Sequence, residues 1–288
     1  MEVETTQASE VRVIEPAKGW NPVDFKELHS YRDLFRFLVW RDIKVLYAQT
    51  VLGFAWAILN PVIQIVIFSI IFGKLAGLDT GAVDYVLFST LGVVPWTYMS
   101  QAMTMSSQSL VAGQQMLGKI YFPRLIFPLT PIFAKLVDFG ISLSVIVCVM
   151  LWFRVVPSWQ LVYLPLFVLM MMMVPAGAGM WLSSLAIRFR DVKFAMHFVI
   201  GMLIYSAPIL YPATRIYQPE TEAWWTGIAQ KVYPLNPIVA VVEGYRACFL
   251  GNPIPWEFVV PGMITNVLIL VTGALYFRRM ERVIVDVI

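Results

Sequence analysis

Apolar residues run in long blocks along this chain, separated by short polar clusters that carry most of the charge. A helix needs about 20 predominantly apolar residues to cross a hydrocarbon core of roughly 30 Å. Six windows meet or approach that length: residues 51–72, 85–105, 129–153, 161–187, 194–211 and 258–277. Trp and Tyr gather at several of their ends, among them Trp96, Trp152, Trp159, Tyr163, Tyr211, Trp256 and Tyr276, as interfacial anchoring predicts. Between Asp24 and Gln49 the pattern changes: Leu34, Phe37, Leu38, Arg41 and Val45 mix apolar and charged positions at helical spacing. That is the signature of an amphipathic helix lying along a membrane surface. Residues 212–256 hold apolar pieces too short to span, notably 237–249, which read as external re-entrant helices whose ends protein or water must cover. The pattern predicts an all-α integral membrane protein, with residues 1–50 as an amino-terminal segment and 51–288 as a six-span transmembrane domain.

Composition agrees, since 59% of the 288 residues are hydrophobic and 14% are charged, more apolar surface than one water-soluble core hides. The net charge of +3 matters less than its placement. Sixteen of the 21 basic residues fall on the side of the amino terminus, and Lys74, Arg154, Arg215, Lys231 and Arg246 fall opposite. The positive-inside rule then predicts that both termini are cytoplasmic and that the basic residues mark loops rather than a nucleic-acid surface. The acidic, polar opening MEVETTQASEVRVIEP lacks the features of a cleavable signal peptide. Cys148 and Cys248 make no disulfide or metal pattern, and His29 and His197 stand alone.

Polar positions inside the spans are the candidate chemistry. Gly53, Trp56, Asn60 and Gln64 recur at intervals of three and four in the first span, and Ser100, Gln101, Thr104, Ser107 and Gln108 form a stripe in the second. Such groups face a bundle interior or a hydrated cavity. They either line a path for sugar chains, whose hydroxyls want amides and whose C–H faces want aromatic rings, or hydrogen-bond between helices. Lys135 and Asp138 stand three apart in the third span and read as a structural pair, as do Glu243 and Arg246 outside. Pro175, Gly177, Gly179 and Ser183 predict a kink and a close helix contact. Gly113, Gly118 and Lys119 imitate the start of a phosphate-binding loop, but Ile120 replaces the required Ser or Thr and a membrane span precedes it. No cluster points to a metal site or an enzyme.

Several stretches, in order along nearly the whole chain, resemble the permease subunits of ABC-2-type polysaccharide exporters, which move O-antigen, capsule-like or teichoic-acid chains. They are VIEPAKGW, YRDLFRFLVWRDIKVLYAQTVLGFAWAILNP, GKIYFPRLIFPL, SAPILYP, LNPIVAVVEGYR and FRRMERVIVDVI. Leu46 departs from the family's usual basic residue after RDIKV. The resemblance implies a homodimer in the bacterial inner membrane, resting on two copies of a separate ATPase subunit that holds ATP and magnesium, with no cofactor on this chain. Its implied substrate is a polyprenyl-pyrophosphate-linked polysaccharide. It implies coupling residues Arg41, Asp42, Lys44, Lys119, Phe122, Pro123, Arg124, Arg188, Arg190 and Asp191. It also implies a path flanked by the first and fifth spans, Tyr205 included, and an external gate. The gate candidates are Tyr211, Tyr217, Trp224, Trp225, Tyr233, Glu243, Tyr245 and Arg246. Competing classes are a drug or lipid exporter of the same superfamily, an ion-driven secondary transporter, for which repeats are missing and Asp138 is the only mid-span acid, and a membrane enzyme, for which reactive groups are missing.

Overall fold

The computed structural model describes residues 25–48, 50, 52–81, 83–117, 122–189, 191–217 and 226–287, without the side chains of 25, 26 and 282–287. Every regular element among them is helical. A short α1 (Phe25–Ser30) leads into α2 (Arg32–Tyr47). The chain turns at Gly53, whose φ of 50° suits a residue without a β-carbon, into α3 (Ala55–Phe68), which continues as a π-helix over Ser69–Leu75. Then come α4 (Tyr85–Ala112), α5 (Gln114–Leu117) and α6 (Ile126–Trp152). A 3₁₀ turn, Trp159–Tyr163, enters α7 (Leu164–Arg188). The helix α8 (Val192–Met202) ends in a 3₁₀ turn at Leu203–Tyr205. Two short helices, α9 (Thr214–Tyr217) and α10 (Thr226–Val232), precede α11 (Pro237–Leu250) and α12 (Trp256–Val287).

Four of these helices are long and apolar enough to cross a membrane: Ala55–Leu75, Ile126–Trp152, Trp159–Arg188 and Trp256–Glu281. The other two expected spans take different forms. The helix α4 has the length, 28 residues, but carries many hydroxyls and lies at the centre of the bundle against α3, α6, α7, α8 and α11. A helix wrapped by protein need not be as apolar as one facing lipid. The window 194–211 yields a helix only from Val192 to Tyr205, after which Ala207, Ile209 and Leu210 leave helical geometry and bury themselves in protein. Their apolarity is spent on the core and not on lipid, which hydropathy alone does not reveal.

Two apolar cores stack along the bundle. The smaller joins Leu38, Leu110, Leu117, Phe122, Ile126, Phe127, Met180, Phe277 and Met280, so it ties α2, the α5–α6 connector and the ends of α4, α7 and α12 together. We call this the terminal end. The larger core fills the rest of the bundle up to α11, at the distal end. Apolar residues of α2 divide between two faces: Leu38 is buried, while Phe37, Trp40 and Val45 are exposed beside Lys44, whose ammonium lies 5.5 Å from the Trp40 ring centre. The Phe35 ring meets Phe133 edge-on at 5.2 Å, so α2 is docked on α6 along one side.

In hydrocarbon, helices associate through close packing and hydrogen bonds rather than through water exclusion. The α7–α12 contact follows that rule. Gly177 and Gly273 let the two backbones touch, Trp181 stacks on Tyr276 at 4.3 Å, and the Trp181 indole N–H donates to Thr272.

Candidate functional site

A cavity of about 200 Å³, lined by polar and apolar groups together, lies between α2, α3, α4 and α6. The end of α2 supplies Leu46 and Tyr47, α3 supplies Trp56, Ala57 and Asn60, and α4 supplies Thr97, Tyr98 and Gln101. From α6 come Lys135, Asp138, Phe139 and Ser142, all within two turns. The Lys135 ammonium donates to Asp138 Oδ2 at 2.7 Å, so the expected pair forms, and it is largely buried. Ser142 donates to the Ala57 carbonyl at 2.9 Å and the Asp138 carbonyl at 2.8 Å, fastening α3 to α6 beside the cavity. Tyr47 Oη, Thr97 Oγ1 and Asp138 Oδ1 are buried with no hydrogen-bond partner among the described residues.

The expected path residues separate on this geometry. Trp56, Asn60 and Gln101 come together at the cavity. Gly53 belongs to the turn before α3 rather than to a helical face, which corrects the four-residue stripe. Gln64, two turns after Trp56, is not among the lining residues. Ser100, Thr104 and Ser107 hydroxyls donate to carbonyls of their own helix, at Thr97, Ser100 and Thr104. Ser106, which the stripe omitted, bonds across to the Pro128 carbonyl of α6 at 2.6 Å. Tyr205 is 60% exposed at the end of α8, away from the cavity wall.

At the distal end, α11 is set into the bundle. Asn236 caps its start by accepting from the Ile238 N–H, and Gly251, at φ 75°, closes its end in the left-handed conformation. Small residues bring it close: a β-carbon on Gly244 would collide with the Phe167 ring, and one on Gly262 of α12 would collide with Ala240. Arg246 is its anchor. Its guanidinium donates to Glu243 Oε1 and to the Pro208 carbonyl, each at 2.8 Å, and lies 3.6 Å from the centre of the Phe88 ring. Gly92 leaves the room, because a β-carbon there would stand 3.1 Å from the same guanidinium.

Around this anchor the expected gate tyrosines pack by hydroxyls at Tyr211 and Tyr217 and by rings at Tyr217, Tyr233 and Tyr245. Tyr211 donates to the Tyr205 carbonyl, and Tyr217 donates to the Gln230 carbonyl. Burial, with Glu257 nearby, raises the Tyr217 phenol above its ordinary value, so it stays a neutral donor. The Tyr217 ring meets Phe258 at 5.0 Å and Tyr233 at 6.2 Å. Tyr245 is wholly buried between Phe139 and Phe249. Trp224 and Trp225 lie outside the described residues. Sequence spacing found Glu243 and Arg246 but not Phe88, Gly92, Pro208 or Tyr85, whose hydroxyl donates to the Leu210 carbonyl at 2.8 Å. These partners lie far apart in sequence, and no local signal marks them.

At the terminal end, Arg41 pairs with its neighbour Asp42 at 2.8 Å, and both Arg41 and Lys44 are exposed. Phe122 is buried against Phe127, and the Arg124 guanidinium donates to the Glu281 carbonyl of α12 at 2.9 Å. Arg188 and Asp191 are exposed, whereas Lys119 and Arg190 lie outside the described residues. Gly118 and Ile120 of the phosphate-loop imitation lie outside them as well, while Gly113 caps α4 under the Phe127 ring. Cys148 is exposed and Cys248 buried, both as free thiols.

Residues 33–250 match the family model described as ABC-2 type transporter. The chain is 26% identical over 250 residues to the O-antigen export system permease protein RfbA of Klebsiella pneumoniae, covering 86% of this chain and 92% of that one. It is 24% identical over 230 residues to the protein of the same name from Myxococcus xanthus, covering 80% and 85%. The inner membrane transport permease YadH of Escherichia coli K12 is 26% identical over 235 residues, covering 76% of this chain and 87% of its own. With its apolar helices and a family match across most of its length, the chain belongs to the ABC-2 type transporter family, whose membrane subunits are transport components.

Proposed function

We propose that this chain is the permease subunit of an ABC exporter carrying a lipid-linked, O-antigen-like polysaccharide across the bacterial inner membrane. The observation that carries this reading is the likeness to O-antigen export permeases along 86% of the chain. The polar and aromatic cavity containing Trp56, Asn60 and Gln101 supports it, since a sugar chain needs such a lining inside an apolar bundle.

In this reading six segments cross the membrane with both termini cytoplasmic, α4 and α8 completing the set, and α9 to α11 form re-entrant helices on the outer side. Two copies pair with two copies of an ATPase, which binds ATP and magnesium, while this chain binds no nucleotide. The substrate is held by a polyprenyl pyrophosphate. ATP-driven motion reaches the bundle through elements touching both partners: Arg41, Asp42 and Lys44 on α2, Lys119, Phe122, Pro123 and Arg124 in the connector, and Arg188, Arg190 and Asp191 at and after the end of α7. The terminal core supports this role, because it joins α2 and the connector to α7 and α12. Arg246 and the surrounding tyrosines close the outer side.

The test is co-expression with the ATPase encoded nearest to it. A complex with equal subunit numbers, ATP hydrolysis that needs both chains, and surface polysaccharide that disappears without this chain are the expected results. Purification as a lone chain with ATPase-independent transport would overturn it.

A further inference from the structure

Among the described residues, buried polar atoms without a hydrogen-bond partner occur at Ser69, Gln160, Tyr233, Tyr245, Arg246 and Asn266 outside the cavity, and three more converge on its wall. Its unmet hydroxyls, Tyr47 Oη and Thr97 Oγ1, and the unmet Asp138 Oδ1 come from three different helices. Buried groups of this kind are ordinarily matched by a partner, and the partner sought here must both donate and accept. Lys135 and Asp138 fix its charge. Bonded at 2.7 Å, they are neutral together, yet the contact uses one ammonium proton and one carboxylate oxygen, and the second oxygen is left as an acceptor. Ser142 holds α3 against α6, which keeps Trp56 and Asn60 across from this pair.

We propose that the cavity is a subsite for one uncharged sugar ring, and that the Lys135–Asp138 pair makes it reject charged rings. This rests on the polysaccharide reading above. Neighbouring hydroxyls of such a ring donate to Asp138 and accept from Lys135, the Gln101 and Asn60 amides serve its other oxygens, and Trp56 faces its C–H surface. Because the pair is already mutually neutralised, it leaves no net counter-charge for a uronate or a free amino sugar, which would lose its hydration in the cavity without a compensating ion pair. A lipid acyl chain or an apolar drug leaves the polar wall unmet.

The experiment uses the full chain in nanodiscs free of glycoside detergents, with saturation-transfer NMR against methyl glycosides of N-acetylglucosamine and of glucuronic acid. Transfer to the neutral glycoside, weaker for the uronide by about tenfold or more, is the expected result. Gln101→Leu and Asp138→Asn should each lose the signal, checked on samples that remain monodisperse. Equal transfer to both glycosides, no transfer, or transfer unchanged in both variants would overturn the subsite. Export assayed alongside separates the two ideas: ATPase-dependent export by a chain that fails these binding tests removes the subsite and leaves the permease. If export never depends on the ATPase, the permease reading falls and the subsite with it.

Discussion

Gly177 and Gly273 meet across α7 and α12 with no space for a side chain on either: a β-carbon on Gly273 would stand 2.5 Å from the Gly177 carbonyl oxygen. A β-carbon on Gly177 would stand 2.7 Å from the Ile269 carbonyl carbon, so both obstacles are backbone and neither can swing aside. Gly273→Ala should therefore force the helices apart, breaking the Trp181–Thr272 bond and the Trp181–Tyr276 stack. We expect a loss of about 1–3 kcal/mol, read as a lower unfolding temperature in detergent. Gly140→Ala, inside α6 where a β-carbon meets nothing within 4 Å, should leave that temperature equal or slightly raised.

Arg246 is 5% exposed and Glu243 depends on it for its charge partner. Arg246→Met should destabilise the protein by about 3–5 kcal/mol because it strands a buried carboxylate. The double variant Arg246→Met, Glu243→Leu should recover much of that loss. A double variant as unstable as the single one would assign the cost to the lost bond with Pro208 instead.

Asn236 performs two tasks that one substitution separates. Its carbonyl oxygen caps α11, and its amide donates to the Ser206 carbonyl at 3.1 Å. Asn236→Asp keeps the cap but loses the donor, whereas Asn236→Ala loses both and should cost about 1 kcal/mol more. Hydrogen exchange at residues 206–211 should rise in both variants, and protection at the start of α11 only in the Ala variant should fall.

Arg41 bonds to its sequence neighbour and is exposed, so Arg41→Ala should leave stability within about 1 kcal/mol of wild type. It should nonetheless lower export per ATP hydrolysed if α2 is a coupling element. Arg124→Ala removes the bond to Glu281 as well, so it should lower both coupling and the unfolding temperature. Unchanged export in both variants would remove these residues from the coupling surface.

Much of this architecture was legible from the residues because membrane helices announce themselves by length and apolarity, as α3, α6, α7 and α12 do. The pairs Lys135–Asp138 and Glu243–Arg246 were legible because three residues make nearly one helical turn. Partners from elsewhere in the chain were not: nothing near Arg246 points to Phe88, 158 residues away. The Ser100 stripe misled in another way. Spacing reports which face a hydroxyl occupies, but not that it turns back to its own helix, as Ser100 and Thr104 do. Pro208 and the buried residues around it show the converse, the end of an apolar run that serves protein contacts and not lipid.

The helix at the centre of the bundle also constrains how the protein is made. With Ser89, Thr90, Ser106 and Ser107 fully enclosed, α4 is the helix touched by the most neighbours and is absent from those apolar enough to cross a membrane by themselves. A segment of that kind gains little by entering lipid alone. Entry of α4 into the bilayer should therefore depend on α6 and α7, which pack against it most extensively, and a chain truncated before α6 should leave α4 uninserted.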